Sequence, residues 1–262
     1  MRMVNFESTG IQLFDHRIGH FYVYSNTDGT KHIPDDLSSL PREYLNDIGN
    51  PVRVDPYRHQ QVLDRQDEMA PKAARYFGHP VWDITHTGYV NFPENISGLQ
   101  FNPKPFNVTV YDRKVPEDPK KIRKTAGHET FHTQQPGTEN LLKIHYHKIL
   151  PIPLGDRYVI VLDIYFPLGR AVVEGTTESG LEETNEPKTG AYKDWYELAK
   201  KINEKVIPLR DLHNIAENEG TYAAMNALNN PETFRILDNY LIELYQKMFL
   251  KSRPRSDYDF YI

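Results

Sequence analysis

The sequence predicts an α+β protein with a small mixed sheet followed by a mainly helical C-terminal half. Short runs rich in β-branched and aromatic residues, the usual composition of strands, lie between residues 81 and 166. Apolar residues then recur at helical spacing from about residue 168 to residue 250. With 262 residues, of which 39% are hydrophobic and 26% charged, the chain has a globular composition and enough length to bury a core.

Residues 1–60 are predicted to form an N-terminal arm or pro-like extension that packs on a main domain, residues 61–262. The arm contains a predicted strand, His20–Ser25, that enters a turn at Asn26–Gly29. A short helix at Arg42–Asp47 follows. Prolines interrupt the rest of the segment, at Pro34, Pro41, Pro51 and Pro56. Because such a segment cannot form its own core, we expect it to wrap over the main domain.

The sheet-containing part of the main domain, residues 61–166, opens with a predicted helix at Gln60–Phe77. Val62, Met69 and Ala73 give it a buried face, and Gly78 is a typical stop. The next strands are expected at Val81–Thr85, Thr87–Phe92 and Phe106–Tyr111, and a further strand at Arg157–Phe166.

A helix with metal-binding spacing follows the third strand. Asp118 is a predicted N-cap with Pro119 at the first helical position, and Gln135-Pro136-Gly137 is a predicted stop, which gives about four turns. His128 and His132 are four residues apart, so their imidazoles project from one face and can share a metal ion. Glu129 would stand beside the open metal position and could take a proton from water there. Histidines facing solvent on a polar helix are the alternative interpretation.

The segment Thr125–His132 resembles the active-site helix of the zincin metallopeptidases. Thr125 precedes the first histidine by three residues, as in that family, and the neighbours of the histidines are uncharged. Gln134 departs from the family pattern, which has an apolar residue there. The resemblance implies a zincin-like domain that binds Zn²⁺ and hydrolyses peptide bonds, with Glu129 as the general base. It also implies an edge strand along the substrate cleft, which we expect at Tyr89–Phe92.

The third zinc ligand is expected downstream of His132. The metzincin continuation is excluded, because Gln135 and Thr138 stand where that branch has glycine and histidine. Glu174 and Glu178 lie in a segment that resembles the Glu-Gly-x-Thr-Glu sequence of gluzincins, which implies Glu174 as ligand and Glu178 as the acceptor of an imidazole N–H. Gly137–Asn140 faintly resembles an aspzincin signature. Glu174, Glu178 and Glu139 therefore all stay open as the third ligand.

The helical part, residues 167–250, is expected to begin with a helix at Leu168–Leu181 that carries both glutamates. Later helices are predicted at Asp194–Val206, Leu209–Leu228 and Pro231–Leu250, before a tail at residues 251–262. In gluzincins a tyrosine or histidine from this region stabilises the transition state, and the candidates by position are Tyr192, His213 and Tyr222. His145 and His147 alternate on a predicted strand, so they share one face and could bind metal, but surface or core roles are the favoured interpretation.

Composition narrows the function. The chain has no cysteine, which leaves histidine and carboxylate as its strong transition-metal ligands. A net charge of −5 without a long basic block argues against nucleic acid as a partner, and no apolar run reaches the length of a membrane helix. The N-terminus lacks a secretory signal pattern, so we expect a cytoplasmic protein, with a mature fragment of an exported protein as the alternative. Oligomeric state is not predicted.

The leading hypothesis is a zinc metallopeptidase that acts on a peptide or protein substrate. Its rival is a catalytically inactive zincin-like protein with a structural or interaction role in a larger assembly. A third hypothesis keeps the same ligands but gives them another metal, or hydrolysis of an amide other than a peptide bond.

Overall fold

The computed structural model describes residues 3–6, 11–14, 34–92, 96–101, 106–136, 143–151, 159–166 and 168–252, and the fold is α+β as predicted. The described strands form two sheets. Helices make up most of the chain from residue 168 onward. In chain order the elements are β1 (Met3–Phe6), β2 (Ile11–Phe14), α1 (Arg42–Ile48), α2 (Pro56–Phe77), β3 (His86–Val90), β4 (Gly98–Phe101), β5 (Val108–Asp112), α3 (Pro119–Lys121), a π-helical turn (Ile122–Ala126), α4 (Gly127–Thr133), β6 (Lys143–Pro151), β7 (Val159–Phe166), α5 (Leu168–Glu183), α6 (Lys193–Lys205), α7 (Leu209–Glu219), α8 (Thr221–Ala227) and α9 (Pro231–Ser252).

A three-stranded mixed sheet lies before the metal-binding motif, with the strand order β3-β5-β4. β3 and β5 are parallel, with His86 opposite Val108, whereas β4 and β5 are antiparallel, with Gly98 opposite Tyr111. The predicted strand at Val81–Thr85 is wrong, since these residues form no strand. β4 was not predicted, because a four-residue segment that begins with glycine gives little strand signal.

The predicted cleft strand at Tyr89–Phe92 is also wrong. β3 is an edge strand, but its outer side is occupied by isolated bridges from Asp35 to His86 and from Val52 to Tyr89. β4 forms the opposite edge and packs against α4. β4 is therefore the edge strand that lies next to the metal-binding motif.

The described residues between 34 and 55, just before α2, pack on the mixed sheet. Leu37, Leu40 and Ile48 are buried against Val90 and Val110. The short predicted helix is confirmed as α1. The predicted strand His20–Ser25 and its turn lie outside the described residues, and the division into arm and main domain stays a prediction.

α2 is a long helix that packs against α4 and the π-helical turn. Asp55 caps it by accepting a hydrogen bond from the Arg58 N–H, Pro56 follows at the first helical position, and Gly78 ends it with φ 81°. The predicted start at Gln60 was four residues late, because Pro56 had been assigned to the proline-interrupted segment. Pro71 lies inside the helix, as the sequence indicated.

A second, antiparallel sheet has the strand order β1-β2-β6-β7. β6 and β7 are consecutive, and their register places His147 opposite Asp163. β2 joins them with Ile11 opposite Tyr146. The predicted strand that ends at Phe166 is confirmed as β7. In sequence, β6 and β7 lie between the metal-binding motif and α5.

The C-terminal helices share one apolar core, to which Leu198, Ile202, Leu212, Leu237 and Leu241 contribute. The helices predicted at Leu168–Leu181, Asp194–Val206 and Pro231–Leu250 are confirmed as α5, α6 and α9. The predicted helix Leu209–Leu228 is two helices, α7 and α8, because Gly220 breaks it with φ 93°. Among the described helices, none has both the length and the apolar composition for crossing a membrane.

A buried ion-pair network joins α2 to the metal-binding motif and to the loop after α5. The Arg65 guanidinium is 6% exposed and donates to Glu186 at 2.6 Å and to the Arg123 carbonyl in the π-helical turn at 3.2 Å. Lys72 also pairs with Glu186. A side chain at Gly127 would meet the Arg65 guanidinium at 3.1 Å, so this glycine allows α2 to lie close to α4. Arg65 therefore helps to fix the position of the helix that carries the histidines.

We expect Arg65→Met to lower the free energy of unfolding by about 2–4 kcal/mol, because Glu186 would lose a buried charge partner and the Arg123 carbonyl its donor. Arg75→Met, at an exposed position on the same helix, is the control and should change stability by less than about 0.5 kcal/mol. Urea denaturation followed by circular dichroism measures both. Equal midpoints for the two variants would contradict the role of Arg65.

Candidate metal centre

His128, His132 and Glu174 meet at one point between α4 and α5. The distance from His128 Nε2 to His132 Nε2 is 3.1 Å, and Oε2 of Glu174 lies 3.2 Å from each of these nitrogens. His128 and Glu174 are 2% and 6% exposed. Among the described residues, these three form a cluster whose ligand atoms could hold a metal ion.

The local sequence explains why these side chains converge. Spacing of four residues places both imidazoles on one face of α4. α5 can lie close to α4 because Gly180 has no side chain: a Cβ there would be 2.2 Å from the ring of Phe131, which is fully buried. A Cβ at Gly175, next to Glu174, would be 2.3 Å from Ala199, so this glycine also lets α6 approach α5. Glu174 is thus brought to the histidines by close helix packing.

The outer nitrogen of each imidazole faces an acceptor. Nδ1 of His132 donates to Oε1 of Gln135 at 2.9 Å, with Thr177 Oγ1 at 3.2 Å. Nδ1 of His128 lies 3.1 Å from Oε1 of Glu178, a charge contact that is not aligned as a regular hydrogen bond. These neighbours favour a proton on Nδ1 and leave the Nε2 lone pairs directed at the shared point.

Electrostatics at this point favour a cation. Burial alone would lower the pKa of His128, but the carboxylates of Glu174 and Glu178 outweigh it and raise that pKa to about 10. Burial likewise opposes ionisation of Glu174, yet His132 and His128 hold the pKa of its carboxyl well below the usual range. The cluster therefore keeps its carboxylate charged and attracts positive charge, which either a proton or a metal ion can supply.

The residues fit a divalent metal ion such as zinc. Two imidazole nitrogens and one carboxylate oxygen are a usual donor set for this ion at a catalytic site with an open position. Ligands about 2.0–2.1 Å from a tetrahedral ion are about 3.3 Å from one another. The observed separations of 3.1–3.2 Å are close to this value.

Glu129 lies beside the metal-binding residues and is 7% exposed. Burial raises the pKa of its carboxyl, against the opposing effect of the two imidazoles. The backbone N–H of Gln100 in β4 donates to the carboxylate. Gly98 leaves room for it, since a Cβ at that position would be 2.7 Å from Cγ of Glu129. The edge strand therefore holds Glu129 in place.

An open cavity of about 540 Å³ lies over His128, His132, Glu174 and Glu129. β4 and the residues just before it form one wall, and α3 with the π-helical turn forms another. Arg170, Glu174 and Tyr192 complete the lining on the α5 side. The cavity is large enough for a segment of extended peptide.

Of the three candidate transition-state donors, Tyr192 lies at the cavity, whereas His213 and Tyr222 do not line it. Tyr192 lines the cavity, and its ring stacks on that of His128 with centroids 5.6 Å apart. His213 is buried behind the site, where Nδ1 donates to the Pro136 carbonyl at 3.0 Å and Nε2 accepts from Gln135 at 3.0 Å. Burial lowers the pKa of His213 to about 4. Tyr222, in α8, is not among the residues that line the cavity.

The other candidate metal ligands from the sequence do not belong to the cluster of His128, His132 and Glu174. Glu178 lies one helical turn beyond Glu174, against the outer nitrogen of His128. Glu139 lies outside the described residues. The backbone of His145 and His147 is part of β6, in the second sheet.

Sequence reasoning missed two supporting glutamines. Gln135, considered only as part of the helix stop, links His132 to the Val173 carbonyl and to His213. Gln134, noted as a departure from the zincin pattern, is fully buried and bonds both the N–H and the carbonyl of Trp82 at 2.8 Å. Its amide thus satisfies the backbone of a half-buried loop. The signal in the sequence was the position of Gln134 and Gln135 directly after the helix that carries the two histidines.

Comparison with family models, with curated proteins and with solved structures finds no match for this chain. The geometry of the site is therefore what supports an assignment.

We expect Glu178→Gln to weaken zinc binding by about ten- to a hundredfold, because His128 would lose the carboxylate that orients its ring. Glu182→Gln, one turn further along α5, is the matched control and should keep wild-type affinity, since Glu182 contacts Lys188 and Tyr196 instead. Competition with a chromogenic chelator measures both affinities. Unchanged binding by the Glu178 variant would contradict its supporting role.

Proposed function

We propose that this chain is a zinc-dependent peptidase of the zincin type, with His128, His132 and Glu174 as ligands and Glu129 as general base. The observation that carries the proposal is the convergence of the three ligand atoms, 3.1–3.2 Å apart, at the floor of a cavity that Glu129 also lines. A ligand cluster with a structural role would normally be closed off from such a cavity.

His128, His132 and Glu174 would hold the ion. When bound, zinc supplies Lewis-acid chemistry, which lowers the pKa of water and polarises a carbonyl oxygen. Neighbouring side chains would orient the two imidazoles toward the ion. Glu178 lies against His128, and His132 contacts Gln135 and Thr177.

Glu129 is suited to proton transfer. Burial raises the pKa of its carboxyl, which strengthens the carboxylate as a base that can accept a proton from water and return it to a leaving amine. The Gln100 N–H and the contact with Gly98 restrict its position. Glu129 would thus move the proton between water and the amine nitrogen without leaving the cavity.

β4 is suited to bind an extended peptide. It pairs with β5 on one side only, and its other edge borders the cavity. Backbone groups on such an edge can add a strand from a substrate. This pairing would hold the scissile carbonyl over the metal-binding residues.

Tyr192 is the predicted transition-state donor that the geometry favours. Burial raises the pKa of its phenol to about 12, so the hydroxyl stays protonated at neutral pH and can donate to a developing oxyanion. Its contact with Arg170 and the stacking on His128 hold the ring at the cavity wall.

We expect Glu129→Gln to bind zinc normally and to lose peptide hydrolysis by at least about a hundredfold, because glutamine cannot accept the proton. Glu182→Gln should retain both properties. Elemental analysis gives the zinc content, and cleavage of an internally quenched random peptide mixture gives the activity. Full activity of the Glu129 variant would overturn the assignment of the base.

Wild-type protein that carries one zinc and cleaves no peptide mixture would overturn the peptidase proposal. That result would favour the rival, a zincin-like protein with a structural or interaction role.

We expect Gly98→Ala to lower kcat for the same peptide mixture at least tenfold while zinc content stays normal, because the new Cβ would displace Glu129. Asn91→Ala, at an exposed position beyond the end of β3, is the control. Unchanged kcat would mean that β4 does not position the base.

A further inference from the structure

Three lysines line the wall of the cavity formed by the start of the metal-site helix. Lys120, Lys121 and Lys124 are exposed, and none of them pairs with an acidic residue in the part of the chain that the structure describes. Arg123, between them in sequence, instead points to Glu186 at 4.0 Å. Unpaired cations in the cleft of a chain with net charge −5 are free to meet charge on a ligand.

The positions of the three lysines along the helix give their approximate distance from His128. They precede His128 by four to eight positions on the same helix, which corresponds to about 6–12 Å at the helical rise per residue. An extended peptide advances about 3.3 Å per residue. The lysines would therefore meet side chains about two to four residues from the scissile bond.

The adjoining wall, formed by β4 and the residues just before it, carries two large aliphatic side chains. Ile96 and Leu99 line the cavity and are 45% and 40% exposed, which is unusual for large apolar side chains in this structure. This wall is close to the lysine wall, since a Cβ at Gly98 would be 2.9 Å from Thr125, the neighbour of Lys124. Among the described residues that line the cavity, Tyr192 is the one Phe, Tyr or Trp. Single-stranded nucleic acid is normally bound by several aromatic side chains beside its phosphates, whereas a peptide can present acidic and aliphatic side chains together.

We propose that Lys120, Lys121 and Lys124 select peptide substrates that carry an acidic side chain two to four residues to one side of the scissile bond. The proposal rests on the proposed peptidase function, because it names the substrate class of the same cavity. The lysines would act by steering the acidic segment into the cleft and by fixing its register along β4.

The test uses three internally quenched peptide mixtures on the zinc-loaded full chain. All have the same random central block. One has glutamates on the N-terminal side of the block, one has glutamates on the C-terminal side, and the third has glutamine at all of these positions. We expect one glutamate mixture to be cleaved about fivefold faster than the glutamine mixture, and the preference to fall as NaCl rises.

The variant Lys120→Gln/Lys121→Gln/Lys124→Gln should lose this preference, measured as the ratio of its cleavage rates for the glutamate and glutamine mixtures. The control Lys200→Gln/Lys201→Gln/Lys205→Gln removes the same charge from α6, outside the cavity, and should keep the preference. Equal cleavage of all mixtures by the wild type, or a preference that survives in the cavity variant, would overturn the proposal while leaving the peptidase function intact.

A binding measurement separates the two proposals. Fluorescence anisotropy of the uncleaved, labelled glutamate peptide is measured on zinc-loaded Glu129→Gln protein, with and without the three cavity substitutions. If the wild type cleaves no mixture, the peptidase proposal fails. Weaker binding of the glutamate peptide by the cavity variant would still support the selection of acidic peptides by the three lysines. Equal binding of glutamate and glutamine peptides, or stronger competition by a single-stranded oligonucleotide, overturns it.

Discussion

Two imidazole nitrogens and one carboxylate oxygen face each other at 3.1–3.2 Å in a buried position, where their lone pairs need a proton or a metal ion between them. Without one, lone pairs on adjacent acceptors repel, and a buried carboxylate loses its solvation. The contacts around the cluster serve this requirement. Gln135 and Thr177 hold His132, and Glu178 lies against His128.

The helix that carries the histidines is fixed by neighbours on several sides. Arg65 binds the Arg123 carbonyl in the π-helical turn just before α4, and Glu186 holds Arg65. Phe131 packs into the space left by Gly180 on α5. On the cleft side β4 meets Glu129 through Gly98 and Gln100. Because each neighbour comes from a different part of the chain, the position of this helix depends on the complete fold.

Strong local signals in the sequence predicted much of the secondary structure. The caps at Asp118 and Gly78 and the apolar spacing of α5, α6 and α9 depend on residues within each helix. Two errors arose where local signals were weak or misleading. β4 is a strand because β5 and α4 hold it, not because Gly98–Phe101 has strand propensity, and the β-branched run at Val81–Thr85 lies beside the sheet without joining it.

The sequence by itself determined the pairing of His128 and His132 and the place of Glu129, because residues four apart on a helix must share a face. It left Glu174, Glu178 and Glu139 as alternatives for the third ligand, since spacing alone cannot align two helices. The tertiary structure brought Glu174 to His132 across 42 positions of sequence. It did so through close contacts at glycines that no local pattern could assign, because their effect depends on what packs against them.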